Sequence, residues 1–366
     1  MTAAEKQETC VSKLRVIGRW LLRGVLAVFA LLILLAAAGA VYESIARVSD
    51  EKRFPAPGRL VGIGTHRLHI NCMGQGTPTV ILDAGAGMWS TSWWWVQHDL
   101  AATTRVCSYD RTGMGWSEPG PGPGSLDGIQ TVRELRLLLE KAGERGPFVY
   151  VGHSLGGMLA RIYYQQYPGD LAGMVLVEPG DPQLLLSANP SLQRTDIRPC
   201  GRPCIIGRIA ARLGIARLLL QRNKLVNDPK FPPAALAQWK AHVVLPPVLI
   251  TVLTLGKYLG AICRETLENK SLGDLPLVLV HGTDFGPPFF VTHSEQEQRE
   301  AVKQVLDGWA AIAKLSTKGE APIVVNGANH LTLVAYKEYA DQVSAVVRSM
   351  VEQARPRANS GLSQSR

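Results

Sequence analysis

Short apolar runs alternate along this chain with longer segments in which apolar positions recur every third or fourth residue. The runs are "TVILDAG", "TRVCSYD", Phe148 to Val151, "GMVLVEP", "LPLVLVHG" and "APIVVNG". They are apolar throughout rather than alternating, the pattern of strands buried on both faces in a parallel sheet. Between them lie helical patterns. Ser125 to Ala142 places Ile129, Val132, Leu135, Leu138 and Leu139 on one face. A second helix follows Ser154 with Leu155, Met158, Leu159, Ile162 and Tyr163, and Pro168-Gly169 ends it. A closing helix presents Tyr339, Val343, Val346, Val347 and Met350. Upstream, "RLVGIG" and "RLHINC" read as a hairpin around Gly64-Thr65. The alternation predicts an α/β fold with a mostly parallel sheet and helices on both faces. Pro182 to Gly273 breaks it: this Pro-rich, helically patterned stretch lies between two strands and reads as an inserted helical cap. Within it, "HVVLPPVLITVLTLG" is strongly apolar, too short and Pro-interrupted to cross a membrane. It reads first as cap core and second as an acyl-binding wall or a membrane-facing patch.

The N-terminus has a different pattern. Gly24 to Tyr42 is 19 residues without a charge, about 28 Å of helix and close to a bilayer core. Lys6, Lys13, Arg15, Arg19 and Arg23 precede it against Glu5 and Glu8. That asymmetry predicts a basic cytoplasmic segment over 1–23, a transmembrane helix over 24–42, and the bulk of the chain on the non-cytoplasmic side. The rival is a cleaved signal peptide, because "AGA" before Val41 fits a small-residue cleavage site. The length of the run and of its leader favours the uncleaved anchor. A polar linker follows over 43–58, then the folded domain over 59–354 with its cap at 182–273, then a disordered tail over 355–366.

Composition narrows the chemistry. The chain has 366 residues and carries +9, a charge that raises nucleic acid as a partner. Pro182 to Lys270 alone holds thirteen Lys and Arg against four Asp and Glu. The excess is therefore local, no basic run is interleaved with aromatics and no nucleic-acid motif is present, so it reads as a face for anionic lipid headgroups rather than for nucleic acid. Of six cysteines, Cys10 is expected to face the cytoplasm; Cys72, Cys107, Cys200, Cys204 and Cys263 would face an oxidising space, where some are expected to pair. Cys200 and Cys204 in "PCGRPC" are spaced to close a short loop. No His or second cysteine pair accompanies them, so no metal site is expected, and no sequence feature calls for a cofactor.

The candidate chemistry lies in "YVGHSLGGM", where a strand meets a helix with only Ser154 between them. Glycines two residues before and two after remove the Cβ atoms that would clash at so sharp a bend. The bend lifts the hydroxyl above the sheet, over the free N–H groups of a helix N-terminus. This is the Gly-x-Ser-x-Gly nucleophile elbow; the plainer alternative is a serine N-cap.

With the elbow, "VCSYDRTGMGWSEPGP", "LVLVHGTD" and "GANH" occurring in that order around it, the chain from Arg59 to about Gln353 resembles the α/β-hydrolase superfamily, serine esterases and lipases in particular. The resemblance implies an eight-stranded sheet, Ser154 as nucleophile and His330 as base, on the loop after the last strand. His153 is expected to point elsewhere, and His281 to be a core or supporting residue. The oxyanion hole is implied to use the N–H groups of Leu155 and Ala86. Here the chain departs from the family, since Ala84-Gly85 replaces the usual His-Gly. Asp110 and Arg111 are implied to be structural. For the triad acid two candidates stay open. Asp284 in "HGTD" holds the family's commonest position and is favoured; Glu178, ending "GMVLVE", is the alternative. Epoxide hydrolases and haloalkane dehalogenases are disfavoured because they carry Asp where Ser154 stands. The expected function is hydrolysis of a carboxylic ester, small-molecule or lipid-like, through an acyl-enzyme. Other acyl transfers (thioesterase, amidase, peptidase) and a silent hydrolase-like binding protein remain as alternatives.

Overall fold

In a computed structural model the structure describes residues 3–122, 126–193, 201–220, 230–285 and 294–355, with side chains from residue 17 onward. A single helix, α1 (Ala3–Arg53), precedes the sheet. It does not stop at Tyr42 as the linker expectation had it, but runs through the polar stretch to Arg53. Arg47 pairs with Glu51 one turn on, and Pro55 forbids further helix.

The sheet has eight strands: β1 (Arg59–Gly62), β2 (Arg67–Met73), β3 (Val80–Asp83), β4 (Val106–Tyr109), β5 (Phe148–His153), β6 (Leu171–Val177), β7 (Leu277–Gly282) and β8 (Ile323–Val325), in the order 1-2-4-3-5-6-7-8. The expected hairpin is β1–β2, and β2 pairs antiparallel with β4; every other pairing is parallel. β3 to β7 are buried along almost their whole length, which accounts for their unbroken apolar sequence. Cys72 and Cys107 face each other across β2 and β4 and form a disulfide. Cys204 is also disulfide-bonded, whereas Cys263 is a free buried thiol. Cys200 and the tail over 356–366 lie outside the described residues.

One face of the sheet carries α3 (Gly128–Ala142) and α4 (Leu155–Gln166); the other carries α2 (Trp94–Leu100) and α12 (Lys337–Ala354). The short α11 (Thr332–Ala335) leads into α12. α3 begins on Asp127, whose carboxylate accepts from Gln130 N–H, and ends on Gly143 in the left-handed conformation.

Between β6 and β7 the alternation gives way to helices α5 (Pro182–Ala188), α6 (Gly201–Arg212), α7 (Ile215–Leu220), α8 (Pro233–Val243) and α9 (Pro246–Glu268), and α10 (Glu295–Ala313) follows β7. The prolines of "HVVLPPVLITVLTLG" do not interrupt a helix: Pro246 and Pro247 start α9, where a missing N–H costs nothing. α9 is long and apolar enough to cross a membrane by length and composition alone. However, it packs Val248, Tyr258, Ile262 and Cys263 into the protein interior.

Candidate active site

Parallel pairing sets His153 level with Val177, and Val177 level with Val280. The residues just past the ends of β5, β6 and β7 therefore collect at one edge of the sheet, the carboxyl edge where α/β sheets bind ligands. Ser154 sits there between β5 and α4 with φ 53° and ψ −113°. Its N–H donates to Val177 O at 3.0 Å. Its side chain makes no cap hydrogen bond to α4; the N-cap alternative therefore lacks the bond that defines it. The glycines act by close approach. A Cβ on Gly152 would fall 2.4 Å from Gly156 O, and one on Gly156 would fall 2.3 Å from Asp83 O.

Among the described residues, two that are not glycine have positive φ: Ser154 and Glu178 at 40°. Backbone strain of that kind persists where surrounding structure imposes it, and it concentrates at functional sites. Glu178 N–H is held by Val280 O at 2.8 Å, and Glu178 Oε1 accepts from Gly282 N–H at 2.8 Å. Its other oxygen, Oε2, lies 2.8 Å from His330 Nδ1. The carboxylate on His330 Nδ1 is thus Glu178, not the favoured Asp284. Asp284 Oδ2 accepts from Asn329 Nδ2 at 3.4 Å, and Asp284 N–H donates to Ala328 O, so this aspartate braces the loop that carries the histidine. The reason lies in strand order. β6 neighbours the nucleophile strand whereas β7 stands one place further out, and the longer glutamate side chain bridges from β6 to the histidine. The turn Gly286-Pro287-Pro288, on which the Asp284 expectation leaned, lies outside the described residues.

His153 does more than its sequence neighbourhood suggests. Buried at the end of β5, it donates from Nε2 to the His330 carbonyl at 2.8 Å, and the two rings lie 4.5 Å apart. Burial, with His330 adding to the effect, pushes its pKa down to about 3. It is a neutral brace that fixes the backbone of His330. His330 is pushed down to about 4 by burial, so its imidazole is unprotonated and able to accept a proton at neutral pH. Burial raises Glu178, against the lowering effect of the Gly282 N–H. The His281 ring lies tilted against Trp309 at 5.1 Å, and the side chain bonds to Gly282 O.

Arg111 and Asp110 organise the loops around this edge. Asp110 pairs with buried His69 at 2.9 Å and accepts from the N–H groups of Ser90 and Trp116. Arg111 is buried against the loop after β3. It donates to Asp83 Oδ1 at 2.5 Å, to Ala84 O at 2.6 Å and to Gly85 O; Tyr150 donates to the other Asp83 oxygen at 2.7 Å. Burial works to discharge the guanidinium, but Asp83 together with Tyr109 and Tyr150 holds Arg111 above its ordinary range. In a trans peptide C=O and N–H point oppositely. With Gly85 C=O held by Arg111, Ala86 N–H turns away from the arginine. Leu155 N–H, at the first position of α4, has no acceptor within its own helix. A small pocket beside it is lined by Gly87, Met114, Leu126, Leu155, Leu159, Leu255 and Ile262 together with the polar Arg111, Thr112, Thr131 and Thr251, so α9 supplies one wall.

Solved structures share this architecture. An epoxide hydrolase from Vigna radiata superposes with a TM-score of 0.59 at 16% identity, covering 81% of this chain and 97% of that one. An esterase from Thermogutta terrifontis gives 0.53 at 19%, covering 81% and 99%. At such identities the likeness is one of fold. In sequence, an uncharacterized vacuolar membrane protein of Saccharomyces cerevisiae is 31% identical over 140 residues, or 33% of this chain. The chain spans 17 to 21% of the length of this and two other fungal relatives. The profile of the alpha/beta hydrolase family matches residues 80–345. That match runs from β3 into α12 and takes in Ser154, Glu178 and His330, and the chain belongs to the alpha/beta hydrolase family.

Proposed function

We propose that the protein is a membrane-anchored serine hydrolase that cleaves a carboxylic ester through an acyl-enzyme, with Ser154 as nucleophile, His330 as base and Glu178 as acid. The observation that carries this reading is the 2.8 Å contact between His330 Nδ1 and Glu178 at the strained elbow of Ser154. With Nδ1 held by the acid, the other ring nitrogen of His330 takes the proton of Ser154 Oγ as that oxygen attacks the ester carbonyl. Charge passes to the carbonyl oxygen, where the N–H groups of Leu155 and Ala86 stabilise it. Collapse expels the alkoxide, which leaves as the alcohol with the proton from His330. Water then repeats the cycle on the acyl-serine and releases the acid. A fluorophosphonate probe tests the reading: it labels the protein on washed membranes, and absence of labelling refutes it.

Two consequences follow for the base and its surroundings. His330 is a base only while unprotonated, and burial holds it down to about 4 rather than 6.5. Activity therefore survives acidification until the pH falls through that lower value. The acidic limb of kcat/KM for a p-nitrophenyl ester is expected nearer pH 4 than pH 6.5. Arg111 is a positioning residue: Arg111→Lys keeps charge but loses the fork that spans Asp83 and two carbonyls. It is expected to lower kcat by about a hundredfold, the cost of one lost oxyanion donor, with little change in KM. An equal rise in KM would point to a merely misfolded loop.

The uncharged run Gly24 to Tyr42 lies within α1 and is exposed over most of its length, which supports its reading as a membrane span. The basic leader and the disulfide Cys72–Cys107 support a non-cytoplasmic, oxidising side for the folded domain. Protease added to intact cells or spheroplasts is expected to digest the domain and spare a small fragment. Full protection of the domain overturns the orientation.

A further inference from the structure

The inserted helices α6 and α7 meet α1 at a defined height. A Cβ on Gly39 would fall 2.5 Å from Leu213 O, and Gly214, at φ +71°, lies against the Tyr42 ring. One turn further, the buried Arg217 donates from Nε and Nη2 to both Glu43 oxygens at 2.8 and 2.9 Å, and from Nη1 to Asp50 at 2.6 Å. Gly39 belongs to the uncharged run that ends at Tyr42. Three residues of helix are about 5 Å. If α1 spans the bilayer as proposed above, the α6–α7 turn sits at the outer edge of the hydrocarbon layer.

On either side of that turn the helices turn apolar side chains outward. Ile205, Ile206 and Ile209 on α6 and Leu218 and Leu219 on α7 are each at least half exposed, Ile206 at 65% and Leu219 at 68%. Arg202, Arg208 and Arg212 are exposed on the same helix as the isoleucines. A pair of short helices with apolar side chains and interspersed arginines is the make-up of segments that lie in a membrane interface. These helices also lead to the site. A Cβ on Gly207 of α6 would fall 2.8 Å from Leu253 of α9, and α9 supplies Thr251 and Leu255 to the pocket beside Leu155.

We infer that α6 and α7 form a second membrane contact, seated in the acyl–headgroup boundary of the leaflet next to the folded domain, with their arginines on anionic headgroups. The site then receives its ester from the bilayer, along α9, rather than from free solution. This substrate class rests on the hydrolase reading above; the membrane contact itself does not.

The test uses the full chain in phosphatidylcholine vesicles with or without phosphatidylglycerol. A photo-crosslinking phenylalanine introduced at position 206 or 219 is expected to give lipid adducts, as it does at position 29 in the anchor, and none at position 300 on α10. Adducts to a second copy or to another protein, or no adducts while position 29 reacts, overturn the contact. Ile206→Asp combined with Leu219→Asp is expected to leave fluorophosphonate labelling and turnover of a soluble ester unchanged while lowering turnover of a vesicle-borne long-chain ester by at least about tenfold. Equal turnover of the vesicle-borne ester overturns delivery from the bilayer. Lipid adducts at position 206 or 219, together with no probe labelling of the wild-type protein, sink the hydrolase reading and leave the membrane contact standing.

Discussion

Replacing Ser154 by alanine is expected to abolish fluorophosphonate labelling and to lower kcat for a short p-nitrophenyl ester by about a million-fold, the loss that follows removal of a triad nucleophile. The fold is expected to survive. The side chain makes no cap bond to α4, and the backbone anchors of the elbow, Ser154 N–H on Val177 O and Gly157 N–H on Ser154 O, do not involve the hydroxyl. Thermal unfolding of Ser154→Ala alongside wild type separates lost chemistry from lost structure. Alanine has to adopt φ 53° as serine does, so the Tm is expected to change little. Activity within tenfold of wild type would remove this serine from the chemistry.

The second large effect concerns the acid. Glu178→Gln keeps the side-chain shape and can still accept at Oε1 from Gly282 N–H. It removes the charge facing His330 Nδ1 and offers an amide donor in its place. The imidazole then loses both the tautomer and the counter-charge that its protonated form needs, and kcat is expected to fall about ten-thousand-fold. Asp284→Asn, whose carboxylate meets the Asn329 amide, is expected to cost less than about tenfold, as a change in loop bracing. The reverse ranking would return the acid role to Asp284. Double substitution separates shared from independent action: if the two carboxylates serve the same histidine in series, their losses do not add.

The sheet was legible because burial on both faces writes an unbroken apolar run, and β3 to β7 are such strands. Ser154 was legible because its bend demands glycines at fixed spacing, and His330 because its loop follows the last strand. Glu178 was visible as a candidate but ranked second. Choosing between the ends of β6 and β7 requires knowing which strand neighbours β5 and how far each side chain reaches, and local pattern carries neither. The role of His153 was missed since its partner is the carbonyl of a residue 177 positions away. Arg111 reads as structural in the sequence, which is true of its bonds. Those bonds run to Asp83 and to the carbonyls of Ala84 and Gly85, on a strand end and loop that lie more than twenty residues away in sequence. The end of α1 was misplaced for a simpler reason. Polar residues suggested a linker, yet Glu43 and Asp50 lie one side of a helix and face one arginine.

That arginine has a consequence for how the protein can be handled. Glu43 and Asp50 are the counter-ions of Arg217, and they sit on α1 rather than on the sheet and its helices. The first helix is therefore not a tether from which the domain hangs freely but part of its wall, and if it spans a bilayer as proposed, its tilt sets the tilt of the domain. Cutting the chain near Arg59 leaves Arg217 without either carboxylate and uncovers Leu213 and Gly214 beside isoleucines that already face outward. A shed or truncated domain is thus expected to be sticky and detergent-dependent, while exchange of the preceding apolar run for another of equal length, with Gly39, Glu43 and Asp50 kept, is expected to preserve it.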